Sequence, residues 1–368
     1  MTITMLHTGD WHLGDRHGLS PETARALVKE ARELSPDLIL VAGDIWHLPS
    51  PGNRYLRAAQ VLLGALAEVA PVVAVSGNHD TPRSLVITHP MQVLSPIWER
   101  QGLPLHAVWE GCREVRVLSR SGKTVQVVAV SHSALPEGGE ERDLPVSPDP
   151  EADLSVLLVH GAVEHPAAPL CYLTGQPGEK IVPRSWWRDR GWGYVALGHY
   201  HRPTKVPAGG TRAYYPGSPA PVTWGDWDPE TPHGYLWVET GKGVSLRSLP
   251  SQPMESLEVG SVEEGLSVLS SFPEGGRLRL TLPLSQRTGS GTLLYAAQRR
   301  GVDLSLVYLG EEEEERPLWE EVESIAGGDL LLGWREYART HGLEDAVISL
   351  GEELLSRAED EGGGENRC

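Results

Sequence analysis

The sequence predicts an α/β fold in which buried strands carry polar residues at their ends. Five short apolar runs, rich in β-branched side chains, are bounded by glycine or polar turns: 3–6, 38–41, 72–75, 156–159 and 194–197. Such runs are typical of strands that are covered on both faces. Each run is followed by a short polar block, and this repetition is the second observation that predicts the fold.

The polar blocks are rich in side chains that bind metals. In chain order they are Asp10-Trp11-His12, Gly43-Asp44, Gly77-Asn78-His79-Asp80, His160-Gly161 and Gly198-His199-Tyr200-His201. Ligands of open α/β sheets bind beyond the carboxyl ends of the strands. We therefore expect these blocks, although distant in sequence, to converge on one crevice.

Oxygen and nitrogen ligands in this order predict a site for two divalent cations. Asp44 is the expected bridging ligand, because a shared carboxylate offsets the repulsion between cations roughly 3.5–4 Å apart. The first cation is assigned to Asp10, His12, Asp44 and His201, and the second to Asp44, Asn78, His160 and His199. A single Asp or His after a strand is more often a turn former or a satisfied polar group. The ordered set is what favours metal ligation.

Four further residues are candidates for catalysis or substrate binding. His79 follows the ligand Asn78 and is expected to hydrogen-bond a phosphoryl oxygen or to protonate a departing alkoxide. Asp80 is expected to orient His79. Arg83 and Arg202 follow two of the blocks and are candidates for phosphate contacts, with ordinary salt bridges as the alternative.

The motifs resemble those of the calcineurin-like metallophosphoesterases. Within that family they are similar to the nuclease subunit of the bacterial SbcC–SbcD complex, the counterpart of the archaeal and eukaryotic double-strand-break nuclease. The resemblance is carried by residues 7–14, 43–50, 77–82 and 215–219. The subfamily match depends on His47, on Pro49-Ser50 and on the Tyr-Pro-Gly-Ser-Pro block. Trp224-Gly225-Asp226 departs from the Phe-Gly-Glu that is typical of these nucleases.

This resemblance implies a fold, a role for His47 and a set of partners. The fold is a metallophosphoesterase β-sandwich flanked by helices, with a small α+β capping domain and a helical C-terminal tail. In nuclease relatives the histidines that correspond to His47 and His79 face the scissile phosphate. The metals are expected to be Mn²⁺, although the ligand set also permits Fe, Co, Ni or Zn. DNA, an SbcC-type ATPase with a coiled coil, and a second copy of the chain are the expected partners.

The C-terminal third supports the expected domain order. Alternation over 277–282, a helical stretch over 293–300 and an apolar run over 302–309 predict a small strand–helix–strand unit. After Pro317 the pattern is helical and amphipathic. We therefore predict a metallophosphoesterase domain over 1–245, a capping domain over 250–312 and a helical partner-binding segment over 313–368. The same apolar faces would also serve packing within the chain.

Composition limits the possible functions. The chain has 368 residues with 32 basic and 50 acidic side chains, a balance of −18, which is not typical of a nucleic-acid binder. The acidity is uneven, with 20 basic and 26 acidic residues over 1–240 and most of the excess beyond. Residues 184–190 mix arginine with tryptophan and could contact nucleic acid, but an amphipathic helix with buried tryptophans is the favoured interpretation.

Cysteine usage and the first residues predict a cytoplasmic location. Cys112, Cys171 and Cys368 have no paired spacing, so neither a disulfide framework nor a thiolate metal site is supported. The first strand is expected to begin within a few residues of Met1, which leaves no room for a signal peptide. We expect no membrane-spanning segment.

Three functions agree with these patterns. The first is a two-metal DNA nuclease with 3′-to-5′ exonuclease action on duplex ends and endonuclease action on single strands or hairpins, by resemblance to the family. The second is a small-molecule phosphodiesterase or nucleotidase with the same site, which the acidic composition favours. The third is a scaffold subunit that tethers DNA together with an ATPase partner.

Overall fold

The fold is known from a computed structural model that describes residues 2–82, 84, 86–137, 142–163, 180–208 and 210–310, together with residues 334, 335, 338, 348, 349 and 352. The chain divides into two compact units, residues 1–255 and 256–368. The predicted boundaries near 245–250 and 312 stay predictions, and most of the predicted helical segment lies outside the described residues.

Two six-stranded sheets form the first unit. In spatial order the first sheet contains β12 (Gly243–Ser248), β11 (Gly234–Glu239), β1 (Thr4–Thr8), β2 (Leu38–Ala42), β3 (Val72–Val75) and β4 (Leu105–Val108). The second contains β5 (Cys112–Leu118), β6 (Thr124–Val130), β7 (Leu154–His160), β8 (Tyr194–Gly198), β10 (Thr211–Tyr215) and β9 (Thr204–Ala208). Strands β1 to β4 pair in parallel, as do β6, β7, β8 and β10, so each sheet has one edge of carboxyl ends.

Strands at the sheet centres are apolar throughout because both of their faces are covered. In β2, Leu38 and Leu40 pack between the two sheets, whereas Ile39 and Val41 pack under the helices. Strand β7 divides its side chains in the same way between the inter-sheet core and the outer core of the second sheet. This arrangement confirms the predicted helix-flanked β-sandwich and the five strands that the apolar runs predicted.

Helices cover the outer faces of both sheets. The first sheet carries α1 (Pro21–Leu34), α2 (Asn53–Ala67) and α3 (Pro90–Arg100), and the second carries the single turn α4 (Arg184–Trp187). Helix α1 begins where the hydroxyl of Ser20 accepts a hydrogen bond from the Thr23 amide, with Pro21 at the first helical position. Trp186 and Trp187 are buried, as the interpretation favoured for residues 184–190 predicted, but the helix covers only Arg184–Trp187 of that range.

The second unit is an α+β structure. Its sheet contains β13 (Met254–Glu258), β14 (Arg277–Pro283) and β15 (Asp303–Leu309), and its helices are α5 (Val262–Ser271) and α6 (Gly291–Arg300). Strands β14 and β15 are parallel and are joined by α6, as the alternation and the helical stretch predicted. Leu278, Leu280 and Leu282 of β14 form its core with side chains from both helices. None of the helices in the described ranges combines the length and apolar character needed to cross a membrane.

Candidate metal centre

The predicted ligands lie together beyond the carboxyl ends of five strands. Asp10 and His12 follow β1, Asp44 follows β2, and Asn78 follows β3. His160 is the last residue of β7, while His199 and His201 follow β8. A hydrogen bond joins the two sheets here. The His199 amide, after β8 of the second sheet, donates to the Asp10 carboxylate, after β1 of the first, at 3.0 and 3.2 Å.

Several of these residues have a backbone conformation that glycine usually adopts. Their φ angles are positive: 53° at Asp10, 45° at His12, 47° at Asp44 and 116° at His199. The first two loops support each other, since the Asp10 amide donates to the Gly43 carbonyl and the His12 amide to the Asp44 carbonyl. Strained backbone of this kind persists only where the surroundings enforce it, and it is common at functional sites.

Close packing around Asp44 requires a glycine at position 77. A Cβ atom on Gly77 would lie 2.0 Å from Asp44 Oδ1, far inside van der Waals contact. Position 77, between β3 and Asn78, therefore has no room for a residue larger than glycine.

One group of potential ligands contains Asp10, His12 and His201, whose donor atoms lie within 4.8 Å of one another. Nδ1 of His201 donates to Asp226 Oδ2 at 2.9 Å, and this fixes the proton on that nitrogen. The Nε2 atoms of His201 and His12 face each other at 3.0 Å. Two imidazole nitrogens that converge in this way fit a shared cation.

A second group contains Asp44, His160 and His199. Nδ1 of His160 donates to the Ala42 carbonyl at 2.7 Å. Its Nε2 therefore faces inward, 2.9 Å from Asn78 Oδ1 and 3.4 Å from Asp44 Oδ2. Nδ1 of His199 lies 3.1 Å from the same amide oxygen of Asn78.

Asp44 belongs to the second group and also faces the first. Its Oδ2 atom is 3.4 Å from Nε2 of His160 and 3.7 Å from Nε2 of His12. Its Oδ1 atom accepts a hydrogen bond of 2.9 Å from the His79 amide, which holds the carboxylate in place. A carboxylate with one oxygen near both groups has the position that a bridging ligand requires.

The electrostatics of the site favour positive charge. Burial alone would raise the pKa of Asp44, but His160 and the other imidazoles outweigh it and hold that pKa well below its usual range. Burial lowers the pKa of His160, yet the Asp44 and Asp10 carboxylates reverse the shift and raise it to about 9. The two buried aspartates therefore stabilise a positive charge beside them. Divalent cations would supply that charge.

His79 and His47 lie side by side near these groups. Their rings are 5.1 Å apart and inclined by 26°. Nδ1 of His79 donates to the His47 carbonyl at 2.9 Å, so Nε2 is the ring nitrogen left for a substrate. Nε2 of His47 lies 3.5 Å from Asp15 Oδ2, a neighbour that the motifs did not predict.

Asp80, predicted to orient His79, has backbone amides as its hydrogen-bond partners. Its buried carboxylate accepts hydrogen bonds from the backbone amides of Ile45, Trp46 and Gly77, at 2.8 to 3.2 Å. The His79 ring is instead oriented by the His47 carbonyl. Asp80 joins the loops after β2 and β3 through these amides, while burial and the nearby Asp44 carboxylate raise its pKa to about 7.

The two arginines predicted to contact phosphate have different outcomes. Arg83 lies outside the described residues. Arg202 is exposed, and its guanidinium donates to the Gly225 carbonyl at 2.8 Å. Arg202 lines a cavity of about 270 Å³ together with Asp44, Asn78, His79, His199, Tyr200, His201, Thr204, Thr223, Gly225 and Asp226.

Sequence reasoning singled out Asp226 without giving it a role. The residue appeared only as a departure from the Phe-Gly-Glu pattern, and the structure places its carboxylate on the His201 ring. The sequence feature that could have indicated a role for Asp226 is an acidic residue in a motif that follows the last ligand block. Which ligand it contacts depends on the loop between β10 and β11, whose path has no periodic pattern.

Comparisons with known proteins agree with this geometry. The calcineurin-like phosphoesterase model matches residues 3–203. A protein of Methanopyrus kandleri, DNA double-strand break repair protein Mre11, is 30% identical over 239 residues, covering 60% of this chain and 50% of that protein. A subunit of the nuclease SbcCD from Rhodobacter capsulatus is 26% identical and covers 81% of this chain and 80% of that protein.

The Mre11 protein of Archaeoglobus fulgidus is 28% identical, covering 58% of this chain and 49% of that protein. The match therefore spans about half of each archaeal relative and most of the bacterial one. The family model extends over more than half of the chain and includes the polar blocks after all five strands. The chain belongs to the calcineurin-like phosphoesterase family.

Proposed function

We propose that this protein is a two-metal phosphodiesterase that cleaves DNA. The observation that carries the proposal is the convergence of two ligand groups on Asp44, whose Oδ2 atom is 3.4 Å from His160 and 3.7 Å from His12. Asp10, His12, Asp44 and His201 would hold one divalent cation, and Asp44, Asn78, His160 and His199 the other. Oxygen and nitrogen donors of this kind suit Mn²⁺, the metal we propose, as well as Fe, Co, Ni and Zn.

The protein's own residues prepare the ligand atoms for binding. His160 and His201 each have Nδ1 engaged by a fixed acceptor, so both present Nε2 to the centre. When bound, the cations would activate water and stabilise the negative charge on the phosphoryl oxygens. The strained loops hold the carboxylates in position before any ion arrives, which reduces the cost of ordering them.

His79 is proposed to act on the leaving group. The bond from its Nδ1 to the His47 carbonyl fixes the ring and leaves Nε2 for the substrate at the edge of the cavity. In the imidazolium form this nitrogen carries the proton that the departing 3′ or 5′ oxygen needs. His47, beside it, is proposed to contact the same phosphate.

DNA is the proposed substrate because two kinds of observation agree. The relatives are named as a DNA repair protein and as part of a nuclease. The exposed Arg202 at the cavity offers a cation for a backbone phosphate. By resemblance to those nucleases, we propose 3′-to-5′ exonuclease action on duplex ends and endonuclease action on single strands. An SbcC-type ATPase is the proposed partner.

The experiment is Mn²⁺-dependent cleavage of a labelled DNA duplex and a hairpin by the full chain. Bis(p-nitrophenyl) phosphate serves as a small diester, and Asp44→Asn as the control variant. Cleavage of DNA that is lost in the variant would support the nuclease. Hydrolysis of the small ester alone would favour the small-molecule phosphodiesterase, which the net charge of −18 suits. Binding of DNA with no hydrolysis of either substrate would favour the scaffold.

A further inference from the structure

The His201 ring is held from both sides. Nδ1 donates to Asp226 Oδ2 at 2.9 Å, while Nε2 faces Nε2 of His12 at 3.0 Å. The same Oδ2 atom of Asp226 accepts a hydrogen bond of 2.7 Å from the Thr223 amide. The side chains of His201 and Asp226 are only 19% and 18% exposed, so little water competes for their bond.

The matching ring in the other ligand group has a different support. Nδ1 of His160 donates to the Ala42 carbonyl, a neutral acceptor, at 2.7 Å. Both rings thus have the same tautomer and present Nε2 inward, but His201 bonds a carboxylate through Nδ1 and His160 a carbonyl. An anionic acceptor polarises the imidazole more strongly than a carbonyl does and makes its free nitrogen a better donor to a cation.

The carboxylate also adds a charge on one side of the site. Asp226 stands directly behind His201, so a cation near His201 Nε2 is attracted by a third carboxylate besides its own proposed ligands Asp10 and Asp44. In a partly buried site such an attraction is screened less than on the surface. The carboxylates near His160 are those of Asp44 and Asp10, which are themselves proposed ligands.

We propose that Asp226 is a positioning residue that makes the two metal positions unequal. Acting through His201, it gives the position formed by Asp10, His12 and His201 the higher affinity, so that this position fills first. The inference depends on the proposed two-metal function and adds to it an order of loading. An enzyme of this kind would retain one structural ion at low metal concentration and become active when the second binds.

The test is a Mn²⁺ titration of the metal-free full chain, followed by electron paramagnetic resonance of the free ion and by calorimetry. Asp226→Asn removes the charge and keeps a hydrogen-bond acceptor of the same size, and Asp226→Ala removes both. Asp228→Asn is the matched control, because Asp228 is in the same loop and its carboxylate accepts hydrogen bonds from Glu230 and Thr231 rather than from a proposed ligand. His201→Gln and His160→Gln identify which binding phase belongs to which position.

We expect two unequal phases in the wild type. Asp226→Asn should weaken the tighter phase by about 10–100-fold, the usual effect of removing the partner of a ligating histidine, and leave the weaker phase nearly unchanged. His201→Gln should remove the same phase, and Asp228→Asn should behave as the wild type. Circular dichroism and thermal unfolding would establish that each variant is folded.

Two equal phases in the wild type would overturn this inference alone, as would a tighter phase that Asp226→Asn leaves unchanged or that His160→Gln removes. The proposed function would survive those results, since two ions would still bind. If the wild type bound no divalent cation at all, the proposed function would fail and the inference with it. Binding is measured without substrate, so these outcomes do not depend on activity.

Discussion

Nδ1 of His160 donates a 2.7 Å hydrogen bond to the carbonyl of Ala42, which joins the last residue of β7 to the last residue of β2. The bond crosses from one sheet of the sandwich to the other. It fixes the histidine tautomer with a group that belongs to the backbone, so no side-chain change at position 42 removes it. The position of Nε2 therefore depends on how closely the two sheets approach at this edge.

That approach leads to the first prediction, for Gly198→Ala. A Cβ atom at position 198 would lie 1.8 Å from the Ala42 oxygen and 2.8 Å from Nδ1 of His160. Because backbone would have to move, we expect the variant to lose roughly 1–3 kcal/mol of stability, typical of overpacking, and to bind Mn²⁺ more weakly. Urea unfolding and calorimetry would measure the two effects.

Gly64→Ala is the matched control for Gly198→Ala. Gly64 lies within α2, and its added Cβ would meet only Leu103 Cδ1, at 3.6 Å. Alanine in a helix interior should stabilise the protein by up to about 1 kcal/mol. Equal stability of the two variants would contradict the steric account of the sheet contact.

His79→Ala is the second prediction. The ring contributes Nε2 to the cavity, while the contact that holds Asp44 comes from the His79 backbone amide. We therefore expect hydrolysis to fall by about 10²–10⁴-fold, the usual contribution of a general acid, with Mn²⁺ binding retained. Hydrolysis rates on a DNA duplex and on an activated aryl diester test whether His79 donates a proton to the leaving group. The aryl diester has the better leaving group, which needs that proton less, so its rate should fall less. An equal loss on both substrates would argue against proton donation by His79.

The sequence predicted the ligands because their positions depend on local patterns. Apolar runs that end at Asp44 or His160 indicate both the strand and the edge from which the side chain emerges. The parallel order of the strands then brings the blocks together. The residue types, their order and their place after the apolar runs therefore predicted which side chains would converge.

The contacts that support the ligands could not be predicted in the same way. Asp80 bonds amides of residues 45 and 46, and Asp226 bonds a ring that lies 25 residues earlier. Both contacts depend on loop paths that no period or turn signature determines. Edge strands such as β9 were also missed, because the exposed Lys205 interrupts the apolar run.

The third prediction concerns a homodimer, which is proposed by resemblance. Large apolar side chains are exposed near the start of α3, where Val86 is 92%, Val93 48% and Ile87 39% accessible and all three line one surface depression. Apolar patches of this kind commonly mark protein interfaces. We expect the wild type to be a dimer by light scattering after gel filtration and Val93→Asp to be a monomer.

Leu118→Asp is the control for Val93→Asp, because Leu118 is 70% exposed on β5 of the other sheet. It should leave the dimer intact. A wild type that stays monomeric at high concentration, or a dimer that Leu118→Asp breaks and Val93→Asp does not, would exclude an interface at this surface.

The fourth prediction is a pH dependence of stability that originates at His89, the residue that caps the start of α3. Burial lowers the pKa of this histidine to about 4. Its Nδ1 accepts a hydrogen bond from the Met91 amide at the start of α3, which requires the neutral ring. The unfolded chain has a pKa near 6.5 at this residue and binds a proton first as the pH falls. The stabilisation is therefore complete above pH 6.5 and is lost as the pH falls towards 4.

His89→Asn should remove this dependence while keeping a side chain that can cap the helix. Between pH 7.5 and pH 5 we expect the wild type to lose on the order of 2 kcal/mol more than the variant, from the two pKa values and the linkage relation. Urea unfolding of both proteins in the presence of a chelator, at the two pH values, measures this difference in the free energy of unfolding. The other buried histidines contribute equally to both proteins, so their effects cancel. Parallel losses in the two proteins would mean that His89 does not stay neutral in the folded chain.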